Sequence, residues 1–281
     1  MIVGLLMLGG GAAAGVFGSL LGLGGGVLLV PLLTLGFGLP LREAVGVSLI
    51  SVIVTSSAAA GVYLERHVAN LRLGMTLELF TAIGALVGGS IAFLLYEQLL
   101  SLLFGALLLY VAATMARAGF RESPDTTTDT ADPDPHPEHD AGPPDPPSTL
   151  ERLSGPGYRV RNLGVGVMGA TVAGLLSALL GIGGGIVKVP LMNLAMGVPF
   201  RVATATSNMM IGITATSSAV IYLLRDEINP YIAGPVALGV FAGASVGARV
   251  INRVDTRLLQ NLFIAVLIVT AAQMAAKALG L

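Results

Sequence analysis

The chain has 281 residues, 54% hydrophobic and 11% charged, with a formal net charge of −1 and no cysteine. Soluble domains average about 25% charged residues, so this composition, with a mean hydropathy of +0.84, excludes a soluble globular surface. Without cysteine there are no disulfides, no thiolate metal sites and no thiol relay.

In chain order, the first predicted element is an apolar helix over Ile2–Leu21. It is not a signal peptide: no Lys or Arg precedes Arg42, and the hydrophobicity runs past any Ala-x-Ala site. The helix stops at Gly22-Leu23-Gly24-Gly25-Gly26. A shorter apolar segment, Val27–Gly38, follows with Pro31 in its first turns. Pro40-Leu41-Arg42-Glu43 opens the next helix, which runs to about Tyr63. Leu73–Leu95 and Gln98–Ala116 come next. Residues 121–157 then hold nine of the fifteen prolines and nine of the sixteen acids. Such a stretch, with no apolar periodicity, reads as a disordered extended linker. Its His136 and His139 have nothing around them to fix a coordination geometry, so no metal is expected there. After the linker come Leu163–Leu180, Ile186–Gly197, Ala203–Leu224, Pro230–Val250 and Leu258–Lys277. The expected organisation is a first membrane repeat over 1–120, the linker over 121–157, and a second membrane repeat over 158–281.

The two halves are one unit written twice. Residues 20–32 and 179–191 match at nine of thirteen positions, at an offset of 159. The same offset pairs Gly38-x-Pro40-x-Arg42 with Gly197-x-Pro199-x-Arg201, Ser48 with Ser207, and Gly84 and Gly88 with Gly243 and Gly247. Doubled membrane units with helix breaks are the pattern of secondary transporters. Each half holds four or five membrane segments, eight to ten in all. With four, the repeats are parallel and Lys and Arg divide 9 to 5 between the two sides. With five, the second repeat is inverted and the division is 11 to 3. The positive-inside rule favours the inverted arrangement, and either count places the linker in the cytoplasm.

Three consecutive glycines in hydrocarbon free backbone groups that must line a cavity or bind something. Where the helix restarts at Val27 or Ile186, its N–H groups and dipole favour an anion. Tight helix packing is the competing use of such glycines. No strand precedes them and no Gly-Lys-Ser/Thr follows, so neither a dinucleotide fold nor an ATP loop is expected.

The paired G-L-G-G-G-x-x-x-V-P at 22–31 and G-I-G-G-G-x-x-x-V-P at 181–190 resemble the signature of the TauE/SafE family of membrane permeases, the sulfite exporters. The following G-x-P-x-R and the hydroxyl-rich helix fit too, and the resemblance covers both halves. It implies export of a small organosulfur or oxysulfur anion such as sulfoacetate or sulfite.

The repeats differ where charge is concerned. Leu29 corresponds to Lys188, either a fixed positive charge beside the anion site or a Lys snorkelling to a membrane face. Glu78, opposite Ala237, sits near the interface, pairs with Lys188, or carries a coupling proton. Hydroxyls recur at helical spacing: Ser48, Ser51, Thr55 and Ser56, then Thr204, Ser207, Thr214 and Ser217, with the amide of Asn208 among them. Asn193 is a weaker candidate, and Arg42 and Arg201 read as interface anchors.

The expected protein is thus an all-α polytopic inner-membrane carrier, with helices broken at the glycines and working by alternating access. The substrate-binding candidates are Gly24, Gly25, Gly26, Val27, Gly183, Gly184, Gly185, Ile186, Lys188, Ser48, Thr55, Ser207 and Asn208, with Glu78 for coupling or charge pairing. No catalytic residue, metal or cofactor is expected. The partners are a small anion and the bilayer, with no nucleic acid, and a homodimer is compatible with the sequence. The alternatives are a carrier or channel for another small anion, and an intramembrane enzyme, for which the acid–base inventory is poor.

Overall fold

A computed structural model describes residues 2–20, 26–65, 69–119, 153–154, 158–250 and 256–279. Gly24, Gly25, His67, most of the predicted linker and the Arg201 side chain lie outside them. The described residues are all-helical. The first half comprises α1 (Ile2–Leu20), α2 (Gly26–Pro31), α3 (Leu41–Glu65), α4 (Leu71–Ala92) and α5 (Glu97–Gly119). The second comprises α6 (Leu163–Leu180), α7 (Gly185–Pro190), α8 (Phe200–Leu224), α9 (Pro230–Val250) and α10 (Thr256–Leu279). Helices α2 and α7 each run on as one π-helical turn, over Leu32–Gly36 and Leu191–Ala195. Among the described residues, five helices are long and apolar enough to cross a membrane, and four shorter apolar helices accompany them. Large apolar side chains such as Leu5, Met75, Leu79, Leu94, Met168 and Leu238 face outward. A surface of this kind is solvated by lipid rather than water.

The halves are interleaved rather than placed side by side. Helix α1 packs mainly on α9, and α6 mainly on α4, the same pairing with the repeats exchanged. Helices α3 and α8, which correspond to one another, also pack together, as do α5 and α10. Glycine permits this closeness. A methyl group on Gly84 would run into the Thr171 carbonyl, and one on Gly88 into Leu175, so α4 and α6 touch backbone to backbone. Gly11 and Gly15 meet Val236 and Val240 in the same way. This is small-residue packing as found between membrane helices.

These contacts also set directions. Gly84–Thr171 and Gly88–Leu175 advance together, so α4 and α6 run the same way. Gly74 lies against Thr206 and Met209, and Gly89 against Ile221, so α4 and α8 run the same way too. The segment between α6 and α8 therefore carries the chain back. It does so along α6 itself: Gly169 meets Leu191 and Gly166 meets Met196. In the first half, Gly10 meets Leu32 and Phe37, so α2 retraces α1. The second glycine break is thus the tip of a helical hairpin.

Two polar layers close the ends. At one end Arg42 donates from Nη2 to the Leu95 carbonyl (2.7 Å). Its guanidinium lies 5.5 Å from the Phe93 ring centroid, with that of Arg225 at 5.3 Å from the same ring. Glu97 Oε1 there accepts from the Leu41 N–H at 2.9 Å, capping α3. At the other end Asn70 caps α4, accepting from the Leu73 N–H (3.1 Å) and donating to the Leu153 carbonyl (2.8 Å) and the Tyr158 hydroxyl (2.7 Å). Leu153 is buried at this end, and the Ser154 hydroxyl accepts from the Val160 N–H.

Candidate functional site

The two breaks meet in the interior. A methyl group on Gly26 would lie 2.8 Å from the Gly181 carbonyl oxygen and 3.2 Å from the Ile182 Cα. The Ser48 hydroxyl, fully buried on α3, donates to Gly181 O at 2.7 Å and lies 3.4 Å from Gly26 O. It therefore ties one break to the other. In the second break Gly183 and Gly184 adopt φ of +76° and +74°. A side chain rarely tolerates that region, which is why the turn between α6 and α7 is glycine. Gly181 N–H closes α6 on the Ser177 carbonyl at 2.8 Å. Helix α7 then begins at Gly185, where the Val187 and Lys188 N–H groups donate to the Gly184 carbonyl at 3.2 and 3.1 Å.

Charge collects beside this second break. Lys188 Nζ lies 3.2 Å from Glu78 Oε2, and it donates to Thr214 Oγ1 at 2.5 Å. The Thr214 hydroxyl donates to Glu78 Oε1 at 2.7 Å. The three side chains come from α7, α4 and α8, and they are 1%, 3% and 0% exposed. Lys188 does not snorkel to a face, and Glu78 is not at the interface: burial forces each to take the other as partner. The Lys188 ammonium is thus already paired with a carboxylate.

Two hydroxyls beside the break are unused. Ser177 on α6 and Ser207 on α8 are buried, and their oxygens have no hydrogen-bond partner. A methyl group on Gly184 would lie 3.3 Å from Ser177 Cβ and 3.5 Å from Lys188 Cε, and one on Gly185 would lie 3.6 Å from Ser207 Oγ. Buried polar atoms are nearly always satisfied, so an orphaned pair needs an explanation. Ser177, Ser207 and Lys188 thus converge on the start of α7.

The remaining expected residues distribute as follows. Gly26 and Val27 are buried at the meeting point, and Gly183 to Ile186 form the second break. Thr55 donates back to the carbonyls of Ser51 and Val52 on its own helix, a common use of hydroxyls in membrane helices. Asn208 is half-buried next to Ser207 on α8. Asn193 bonds the Val198 carbonyl at 2.9 Å and holds the chain beyond the π turn. Sequence reasoning missed Ser177. Its counterpart at the 159 offset is Gly18, and a serine absent from one repeat was the available signal.

The family model for sulfite exporter TauE/SafE matches residues 7–274. The chain belongs to the TauE/SafE family. This TauE/SafE protein is 27% identical over 273 residues to the Bacillus subtilis protein named "Probable membrane transporter protein YunE", covering 94% of each chain. It is 27% identical over 270 residues to a "Probable membrane transporter protein" of Xylella fastidiosa, covering 95% of this chain and 93% of that one. A shorter stretch of 104 residues is 36% identical to "Sulfite exporter TauE/SafE family protein 1" of Arabidopsis thaliana, covering 37% of this chain and 23% of the plant protein. No solved structure matches. The family is one of multi-pass membrane transporters, in keeping with the helices and apolar exterior described above.

Proposed function

We propose that this protein is a secondary transporter that exports a small oxysulfur or organosulfonate anion, such as sulfite or sulfoacetate, across the inner membrane. The observation that carries the reading is the orphaned hydroxyl pair, Ser177 and Ser207, at the second break beside Lys188. A sulfonate or sulfite head offers three oxygens as acceptors. Two hydroxyls and an ammonium would satisfy them. Among the described residues no group of three or more His, Asp or Glu side chains could hold a metal ion. The plant relative's name supplies the sulfur chemistry.

Alternating access is supported by the way the halves are built. Helix α1 runs parallel to α9 and α6 parallel to α8. The five-residue connection Arg225–Asn229 between α8 and α9 must reverse the chain. These directions support reading α1 and its counterpart α6 as opposed, as in an inverted repeat. Arg42 and Arg225 then share one side, and we assign the linker, with Arg72, Arg159 and Arg161, to the cytoplasmic side on the positive-inside rule. Both polar ends are closed over a site whose polar side chains are at most 3% exposed. That suits an occluded carrier better than an open channel.

Counterflow in proteoliposomes against a panel of sulfite, sulfoacetate, methanesulfonate, sulfate and acetate tests the reading. Saturable counterflow with the sulfur oxyanions, reduced about tenfold in Ser177→Ala and Ser207→Ala, is expected. Ohmic conductance, or wild-type counterflow in both serine variants, refutes it.

A further inference from the structure

We infer that Glu78 is the coupling group: each anion bound beside Lys188 brings one proton, which Glu78 takes up as the anion replaces it opposite the ammonium. The inference rests on the anion site proposed above. In the structure Lys188 already faces one carboxylate, at 3.2 Å, with the Thr214 hydroxyl shared between them. All three groups are buried, so bulk water screens none of them. An arriving sulfonate next to Lys188 would put two negative charges on one desolvated cation. Protonating Glu78 removes that repulsion. The neutral carboxyl keeps its oxygen on Thr214, and Lys188 turns to the sulfonate. Lys188 then faces one negative charge in both states: Glu78 when the carrier is empty, the oxyanion when it is loaded. A carrier holding the anion without the proton, or the proton without the anion, carries an uncompensated buried charge. Such a state is disfavoured in a low-dielectric interior.

Among the described residues of the helices packed against α4, no other carboxylate or histidine stands in Glu78's place. Helix α6, packed on α4, has no titratable side chain. Helix α8 has none between Arg201 and Tyr222, and α7 contributes only Lys188. On α4 itself the other charge is Arg72, exposed at the helix start. The balance is simple: a proton from the aqueous phase joins the Glu78 carboxylate on binding and returns to the aqueous phase on release. Proton and anion therefore travel in the same direction.

Calorimetry on the purified protein tests this with methanesulfonate, a monoanion that carries no titratable proton between about pH 6 and pH 8. Measuring the binding heat in two buffers of different ionisation enthalpy counts the protons. Wild type is expected to take up about one proton per methanesulfonate, with affinity weakening by up to about tenfold per pH unit as pH rises. Glu78→Gln should take up none, and its affinity should be flat with pH. The neutral double variant Glu78→Gln/Lys188→Gln, which leaves no buried charge unpaired, should also take up none and guards against misfolding of the single variant. Binding by wild type without proton uptake, or unchanged uptake in the Glu78 variants, overturns the coupling and leaves the anion site standing. Absence of binding by sulfoacetate, sulfite and methanesulfonate alike overturns the site itself, and the coupling with it.

Discussion

The two glycine breaks agree at nine of thirteen residues and are chemically unlike. Around the second break stand Ser177, Lys188, Ser207, Thr214 and, from across the interface, Glu78. At the same offset the first half has Gly18, Leu29, Ser48 and Thr55, and opposite Glu78 stands Ala237. Leu29 is completely buried among apolar side chains. The Ser48 hydroxyl is consumed by the carbonyl of Gly181, and that of Thr55 by its own helix. The repeat thus reproduces the glycine-rich sequence, while the ammonium and the unpaired hydroxyls stand at one copy. Because Gly26 packs directly against the second break, a single set of polar groups serves the shared space, and a second buried ion pair would only add desolvation cost.

The sharpest way to break this comparison is to remove one member of the ion pair. Glu78→Ala should destabilise the protein by about 3–5 kcal/mol, because Lys188 is left charged and buried. Coupling that change with Lys188→Met should restore most of the loss, since apolar replacements of a buried pair are often neutral. Thermal unfolding in detergent reads both. A mild single variant would mean that Lys188 finds another partner and that the two breaks differ less than described.

Next in size is the glycine turn. Gly184→Leu places a side chain at φ +74° against the Ala173 carbonyl and Lys188. It should cost about 1–3 kcal/mol in stability and abolish counterflow. A variant that transports normally would show that the second break is packing alone.

The serines separate the two breaks most finely. Ser48→Ala should lower stability by about 1 kcal/mol, as the Gly181 carbonyl loses its donor, with anion affinity little changed. Ser177→Ala should do the reverse: unchanged or slightly higher stability, because an unsatisfied hydroxyl disappears, and roughly tenfold weaker sulfoacetate binding. Equal effects on both properties would dissolve the distinction between tying serine and binding serine.

The smallest expected effect lies away from both breaks and serves as a control. Burial raises the Glu227 carboxyl above its ordinary range; the nearby Arg42 charge opposes this, while Glu43 and Glu97 reinforce it. An acid that is harder to ionise when folded favours the folded state when protonated. Stability from Glu227 therefore falls as pH rises from its unfolded value through its raised folded value. Glu227→Gln should raise the Tm slightly at neutral pH, with the gain vanishing toward pH 4, and leave anion binding untouched.

The sequence by itself determined the membrane class, the repeat, the helix boundaries to within a few residues, and the places where the helices break. These follow from local properties: apolar length against bilayer thickness, and glycine and proline against helix continuity. It also singled out Lys188 and Glu78, because an ionisable residue inside an apolar run is conspicuous. Only the tertiary structure decided that these two meet, 110 positions apart, with Thr214 between them. It alone decided that α2 and α7 fold back along α1 and α6, and which of many similar serines are spent on carbonyls and which are left free. Charge pairing and hydroxyl satisfaction depend on the direction in which neighbouring helices run and on the register at which their glycines let them touch. Neither is encoded in the periodicity of a single helix.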